Sequence, residues 1–340
     1  MKIDFIITWV DGNDPVWQEE KARYSGKTTG DNRAKRYRDW EFLQYWFRGI
    51  EKCAPWANKI HFVTCGHLPA WLNTDHPKLN IVNHRDFIPE QYLPTFSCRP
   101  IELNLHRIPG LTENFVYFND DMFLFQPVTE KDFFRKGLPC DAGILQASHI
   151  SGTDENGNFL KPENYNTSNV LNLIPINRNF DKKKAIRKNF WKWFAPCYGR
   201  EMIRTLLLMP WGYFTGFRNL HLPYSYKKKT YEEAWEKETY LLDRACAHKF
   251  RDSTDISSRM MSFWQIAEGE FYPRSPKAGK YYSINNDENK NEKMYEAIRQ
   301  RKHKMVCIND EYSGPDFDGV KQRLLDSFEM AFPEKSAFEK

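Results

Sequence analysis

An α/β fold with a mostly parallel, doubly wound sheet is what this 340-residue sequence predicts. Three observations carry that prediction. Short runs rich in aliphatic and aromatic residues alternate with segments of helical periodicity, the order that builds parallel strands joined by crossover helices. Two of those runs, at residues 3–10 and 115–118, are each followed by an acidic cluster, Asp11-Gly12-Asn13-Asp14 and Asn119-Asp120-Asp121. Both clusters therefore fall at strand ends, where open α/β sheets bind their ligands.

Taken in order, residues 3–10 are a buried strand, closed by the turn signal Asp11-Gly12-Asn13-Asp14-Pro15. Residues 17–36 are polar, with Gly26, Gly30 and Asp31-Asn32, and read as a mobile loop able to close over a site. A helix starts at about Asp39, its natural N-cap, with Leu43, Trp46, Phe47 and Ile50 on one face and Pro55 as its stop. Ile60-His61-Phe62-Val63-Thr64 is a strand, residues 68–73 a helical turn, and Leu79-Asn80-Ile81-Val82 a further strand. Residues 101–108 are helical and stop at Pro109-Gly110.

Residues 115–125 read as one buried strand interrupted by the polar knot Asn119-Asp120-Asp121. Adjacent carboxylates in a packed run repel each other and are poorly solvated. A divalent cation such as Mg²⁺ or Mn²⁺ resolves both problems with hard oxygen ligands. The alternative is a turn whose aspartates face water.

From Ser148 the texture changes, and residues 152–169 are rich in Asn, Gly, Ser and Thr, which places a boundary near 150. Residues 182–194 form a basic, aromatic helix with Ile186, Phe190 and Trp193 on one face and Lys183, Lys184, Arg187 and Lys188 elsewhere. It is an ordinary amphipathic helix against the core, or a patch touching anionic lipid or glycan. Residues 231–248 are a second helix, 306–308 a strand and 320–332 a final helix, with a polar excursion at 277–304.

Composition narrows the function. The net charge of +5 suits an anionic substrate such as a nucleotide, sugar phosphate or acidic polysaccharide, and is too small and scattered to argue for nucleic acid. The seven cysteines are odd in number and contain no C-x-x-C pair, so neither a disulfide framework nor a zinc site is suggested. No signal peptide is visible, and no run of eighteen apolar residues occurs.

Several side chains carry chemistry. Asp11 is a turn residue or a strand-end ligand for base, ribose or metal; the turn accounts for Gly12 and Pro15 but not for Trp9 beside Asp11. Arg38, at a helix start, suits phosphate. His221 is a general base if it lies in the cleft and an ordinary structural histidine otherwise. Arg251 is a phosphate fork or a surface ion pair. No P-loop, G-x-G-x-x-G or G-x-S-x-G motif is present.

Four ordered blocks of the chain together resemble the Stealth family of sugar-phosphate transferases. The first is Ile3-Asp4-Phe5-Ile6-Ile7-Thr8-Trp9-Val10-Asp11-Gly12-Asn13-Asp14-Pro15. The second runs from Tyr37-Arg38-Asp39 through Cys53-Ala54-Pro55-Trp56, Phe96-Ser97 and Ile101-Glu102 to Tyr117-Phe118-Asn119-Asp120-Asp121. The third joins His221-Leu222-Pro223-Tyr224 to Arg251-Asp252-Ser253-Thr254-Asp255-Ile256, and the fourth is Cys307-Ile308-Asn309-Asp310 with residues 332–339.

That resemblance implies a glycosyltransferase-A-like Rossmann core with helical additions. Residues 1–150 would bind a UDP-sugar, and the mainly helical residues 151–340 would complete the site on the acceptor side. Hexose- or N-acetylhexosamine-1-phosphate would pass to a hydroxyl of a glycan or lipid-linked oligosaccharide, releasing UMP. By the same resemblance Asp11 would help hold the nucleotide, Asp120 and Asp121 the Mg²⁺ or Mn²⁺ and diphosphate, and Asn119 would orient them; Trp9 and Arg38 are read with them as donor-binding residues. His221 would be the base and Arg251 would neutralise phosphate. Cys98-Arg99-Pro100 departs from the small residues or His common there, so Arg99 reports a different acceptor or a substituted phosphate contact. The implied location is cytoplasmic, with peripheral contact at the inner face of a bacterial plasma membrane. An ordinary glycosyltransferase releasing UDP and a non-catalytic glycan or nucleotide binder are the competing readings.

Overall fold

The computed structural model describes residues 1–26, 37–153, 158–161 and 167–340. In chain order these hold β1 (Ile3–Thr8), α1 (Pro15–Tyr24), α2 (Leu43–Cys53), β2 (Ile60–Thr64), β3 (Leu79–Asn83), α3 (Cys98–Asn104), β4 (Asn114–Phe118) and β5 (Met122–Leu124). There follow α4 (Glu130–Phe133), β6 (Phe134–Arg135), β7 (Leu138–Asp141), α5 (Ser168–Leu171), α6 (Leu173–Asn179), α7 (Lys182–Lys188), α8 (Phe190–Trp193) and α9 (Met202–Leu208). The chain closes with β8 (Tyr224–Lys227), α10 (Lys228–Ala247), α11 (Arg259–Glu268), β9 (Tyr272–Pro273), β10 (Gly279–Ile284), α12 (Glu288–Arg299), β11 (Met305–Asp310) and α13 (Phe317–Ala331).

The main sheet has the order β3-β2-β1-β4-β8. β1 pairs in parallel with β2 and β4, β2 in parallel with β3, and β8 closes the edge antiparallel to β4. This is the mixed α/β, mostly parallel sheet that the strand–helix alternation predicts. β1 is apolar apart from Asp4 and Thr8 because it is covered on both faces. The chain leaves β1 toward β2 on one side and returns to β4 on the other. A crevice therefore opens between the carboxyl ends of β1 and β4.

Residues 115–125 depart from the single strand expected of them. β4 ends at Phe118, the chain turns with Met122 N–H bonded to Asn119 C=O at 3.1 Å, and β5 joins a second sheet antiparallel to β11. The polar knot is thus the junction between two sheets. Gly49 lets α2 press on β5, since a Cβ there would lie 2.7 Å from the Leu124 carbonyl oxygen. The core is shared across the whole chain, with Phe5, Trp46 and Phe118 in the same apolar cluster as Tyr226, Trp264 and Phe328. The halves divided at about residue 150 therefore share one sheet and one core.

Several local expectations are corrected. Residues 17–24, expected as part of a mobile loop, lie in helix α1: Asp14 caps it by accepting the Trp17 N–H, and Pro15 opens it. Of the rest of that loop, residues 27–36 lie outside the described residues. Asp39 does not cap α2. Its carboxylate accepts the Glu41 N–H at 2.7 Å, Glu41 turns at a φ of 61°, and the helix starts at Leu43. Residues 68–73 make a turn rather than a helix. The helix expected over 182–194 is two, α7 and α8, broken at Asn189, and Lys182 points inward to donate to the carbonyls of Leu208 and Trp211. Among the described residues no helix is long and apolar enough to cross a membrane.

Candidate active site

A cleft of about 410 Å³ opens where β1 and β4 end. Trp9, Arg38, Arg99, Asn119, Asp120, Asp121, His221 and Arg251 all line it. Residues from both halves of the chain meet there. Asp11 is not among the lining residues. Its carboxylate accepts the Asn13 N–H at 2.8 Å, and its own N–H donates to His67 Nε2, so the structure places it in the turn beside the cleft.

Asp121 is the hub. Its Oδ2 accepts from the Cys307 thiol at 3.2 Å and lies 3.5 Å from His221 Nε2. Its Oδ1 is buried and has no hydrogen-bond partner among the described residues, which a native carboxylate rarely tolerates without a ligand. Donor atoms of Asp121, His221 and Cys307 lie within 4.8 Å of one another, a group that could hold a metal ion.

The chemistry of the three is unequal. Burial, and then the carboxylate of Asp121, push the Cys307 thiol well above its usual range, so it is a neutral donor and not a thiolate ligand. His221 Nδ1 lies 3.2 Å from Arg259 Nη2, and a guanidinium offers only donors. Nδ1 must therefore accept, and the neutral ring carries its proton on Nε2, facing Asp121. A cation here is best met by carboxylate oxygen, the ligand that hard divalent ions take. Asp120 is exposed to the cleft. Desolvation by the surrounding cleft walls, and then the carboxylates of Asp121 and Asp39 beside it, push its pKa upward.

His221 also has unusual backbone, with a φ of +50° stabilised by its N–H bonded to Asn219 Oδ1 at 3.0 Å. Strain of this kind clusters at functional sites. The cations ring the acids. Arg251 Nη2 contacts Cys98 Sγ at 3.0 Å. Arg99 reaches Glu102 at 3.6 Å and Ser168 at 3.5 Å, and its buried Nε has no partner among the described residues. Arg38 is held at 3.3 Å from Asp310, over the Phe317 ring, rather than at a helix start.

Arg259, Glu102, Asp39 and Asp310 also line the cleft, and no motif in the sequence singles them out as doing so. Asp310 carried a usable signal, because it ends β11 as Asp11 follows β1. Arg259 carried none: it opens α11 ahead of Met260 and Met261 and reads as the polar edge of an amphipathic helix. A side pocket of about 160 Å³ shares Trp9 and Asp120 with the cleft and is lined by Trp17, Tyr37, Phe96 and Tyr117.

Comparison with known proteins follows the same residues. Three family models match: Stealth conserved region 1 over residues 1–29, region 2 over 36–140 and region 4 over 296–340. The capsular polysaccharide phosphotransferase WcwK of Streptococcus pneumoniae is 41% identical over 343 residues, 100% of this chain and 98% of that protein. The receptor polysaccharide phosphotransferase WefC of Streptococcus oralis is 38% identical, over 99% of both chains. The exopolysaccharide phosphotransferase cps2G of Lactiplantibacillus plantarum is 36% identical, over 99% of this chain and 96% of that protein. Among solved structures, galactosyltransferase LgtC is similar over 98% of this chain and 97% of its own at 9% identity, with a TM-score of 0.38, too low to bear on the fold.

Proposed function

The chain belongs to the Stealth family, and from that premise we propose that it transfers hexose- or N-acetylhexosamine-1-phosphate from a UDP-sugar to a hydroxyl of a glycan or lipid-linked oligosaccharide, releasing UMP. The observation that supports this best is the pairing of Asp120 and the half-satisfied Asp121 with Arg99, Arg251 and Arg259 around one cleft. Acids that can take a divalent cation, facing several guanidinium groups, suit a diphosphate better than a neutral sugar. The aromatic side pocket suits a nucleobase, which stacks on such rings.

In this reading Asp120 and Asp121 would hold Mg²⁺ or Mn²⁺, which when bound neutralises charge on the diphosphate. Residues 1–150 supply the donor side, with Trp9, Arg38, Arg99 and Asn119, and residues 151–340 supply His221 and Arg251. Asp11 shapes the turn that carries Trp9 into the cleft. The acceptor oxygen bonds to the sugar-bearing phosphorus as the bridging bond to the α-phosphate breaks, and UMP leaves with that electron pair. Asp121 orients His221 through Nε2–H, leaving Nδ1 as the atom that takes the hydroxyl proton. Arg259 sits on Nδ1 without substrate and must turn away to a phosphate oxygen first.

The test is the nucleotide product. Incubation with a panel of UDP-sugars, Mg²⁺ and acceptor glycan should yield UMP and a new phosphodiester signal in ³¹P NMR. UDP with a phosphate-free glycosidic product would make the protein an ordinary glycosyltransferase.

A further inference from the structure

Eight of the sixteen large apolar side chains exposed among the described residues fall within residues 174–213. Helix α9 carries three of them, Ile203, Leu206 and Leu207, at one-turn spacing on a single face. The opposite face is anchored: Thr205 is buried and its hydroxyl accepts the Leu145 N–H at 3.1 Å. The turn after α9 adds Trp211 and Tyr213, and α8 adds Trp191, which is 82% exposed.

The same stretch is strongly basic. Residues 181–204 carry eight basic side chains and two acidic ones. Lys183, Lys184, Arg187 and Lys188 on α7 are all exposed. The basic and apolar parts are joined, because the buried Lys182 at the start of α7 donates to Leu208 C=O at 2.6 Å and Trp211 C=O at 2.8 Å, the carbonyls that end the apolar segment. Trp193 of α8 stacks on Phe214 in the same unit, with ring centroids 6.0 Å apart.

We propose that this surface docks the protein on an anionic lipid bilayer, with the α9 face and the Trp residues in the headgroup region and the α7 cations on lipid phosphates. Exposed aliphatic and indole side chains beside lysines and arginines are the chemistry of an interfacial helix. A second copy of the chain does not fit as well. A two-fold contact would bring the basic surface against itself, and like charges repel. Tyr213 lies eight residues before His221, so this edge of the surface is at most about 29 Å from the cleft. Docking would bring the cleft to an acceptor glycan held on lipid. That consequence rests on the proposed reaction; the docking itself does not.

Flotation of the full chain with vesicles tests it. Binding should be strong on phosphatidylglycerol-containing vesicles, weak on pure phosphatidylcholine and reduced by 0.5 M salt, on the general ground that such contacts are screened. L206S/L207S should weaken binding to the anionic vesicles on the order of a hundredfold. K183E/K184E should remove the preference for anionic lipid. Both variants should keep wild-type melting curves and turnover on a water-soluble acceptor. Equal binding to both vesicle types, or binding unchanged in both variants, overturns the proposal. So does a concentration-dependent dimer that L206S/L207S abolishes, which would make the face an interface between copies. Vesicle binding without UMP release would leave the docking surface standing and remove the reaction.

Discussion

Asp121 concentrates the chemistry of the site in one carboxylate with two unlike oxygens. Oδ2 serves His221 and Cys307, and Oδ1 is buried with no partner among the described residues. Asp121→Asn keeps the size and removes the charge. It should cut turnover by about 10²–10³, the usual cost of losing one group that stabilises developing charge. Thermal stability should hold or rise, because the substitution relieves repulsion with Asp120. Excess EDTA should abolish turnover and Mg²⁺ or Mn²⁺ restore it. Full activity in EDTA, or an unfolded Asp121→Asn protein, would return the acidic pair to a structural role. At this scale the strand-end polar residues were legible because strand ends expose them. Arg259 and Glu102 were not, because a buried charge on a helix becomes visible only when its partners arrive from other elements.

At the level of elements, the contact between α2 and β5 sets where the Asn119-Asp120-Asp121 turn lies. Alanine in place of a helical glycine ordinarily gains about 1 kcal/mol. At Gly49 the added Cβ would meet the Leu124 carbonyl oxygen at 2.7 Å, a backbone atom that cannot swing aside. Overpacking of this kind costs about 1–3 kcal/mol, so Gly49→Ala should destabilise despite its helix propensity. Turnover should fall with it, since β5 begins one residue after Asp121. A denaturation midpoint equal to or above wild type would show that the packing has slack. The split of residues 115–125 into two strands was illegible for a related reason. Aromatic residues continue on both sides of the knot, and only pairing to β11 shows that the chain has changed sheets.

Across the whole molecule, α2 is tied to the far end of the chain. Arg48 holds Glu339 with two hydrogen bonds of 2.9 and 3.0 Å, Glu329 at 2.9 Å and the Phe332 carbonyl at 2.8 Å. Arg48→Met leaves a buried carboxylate unpaired and should cost about 3–5 kcal/mol. Burial alone would raise the pKa of Glu339, but the Arg48 and Ser336 hydrogen bonds outweigh it and hold it below its ordinary 4.5. A lowered carboxylate stabilises the fold above pH 4.5 and loses that contribution as pH falls through its folded value. Wild type should therefore lose thermal stability steeply in that acid window, and Arg48→Met should lose less. Parallel acid slopes for the two proteins would remove Arg48 as the source.

The sequence by itself determined the alternation of strands and helices, the central apolar strands, the acidic strand ends and the family. Each is written in local periodicity or in contiguous motifs, which need no partner to be read. The tertiary structure decided the rest. It placed Asp11 in a turn, moved the start of α2 to Leu43 and held Arg38 beside Asp310. It brought His221 and Cys307 to Asp121, and Arg259 to His221, from positions 100 to 186 residues beyond Asp121 in sequence. Which atom of His221 accepts, which oxygen of Asp121 has no partner among the described residues and which face of α9 stays exposed depend on long-range contacts. No local pattern encodes those contacts, because they exist only once the sheets and helices have packed.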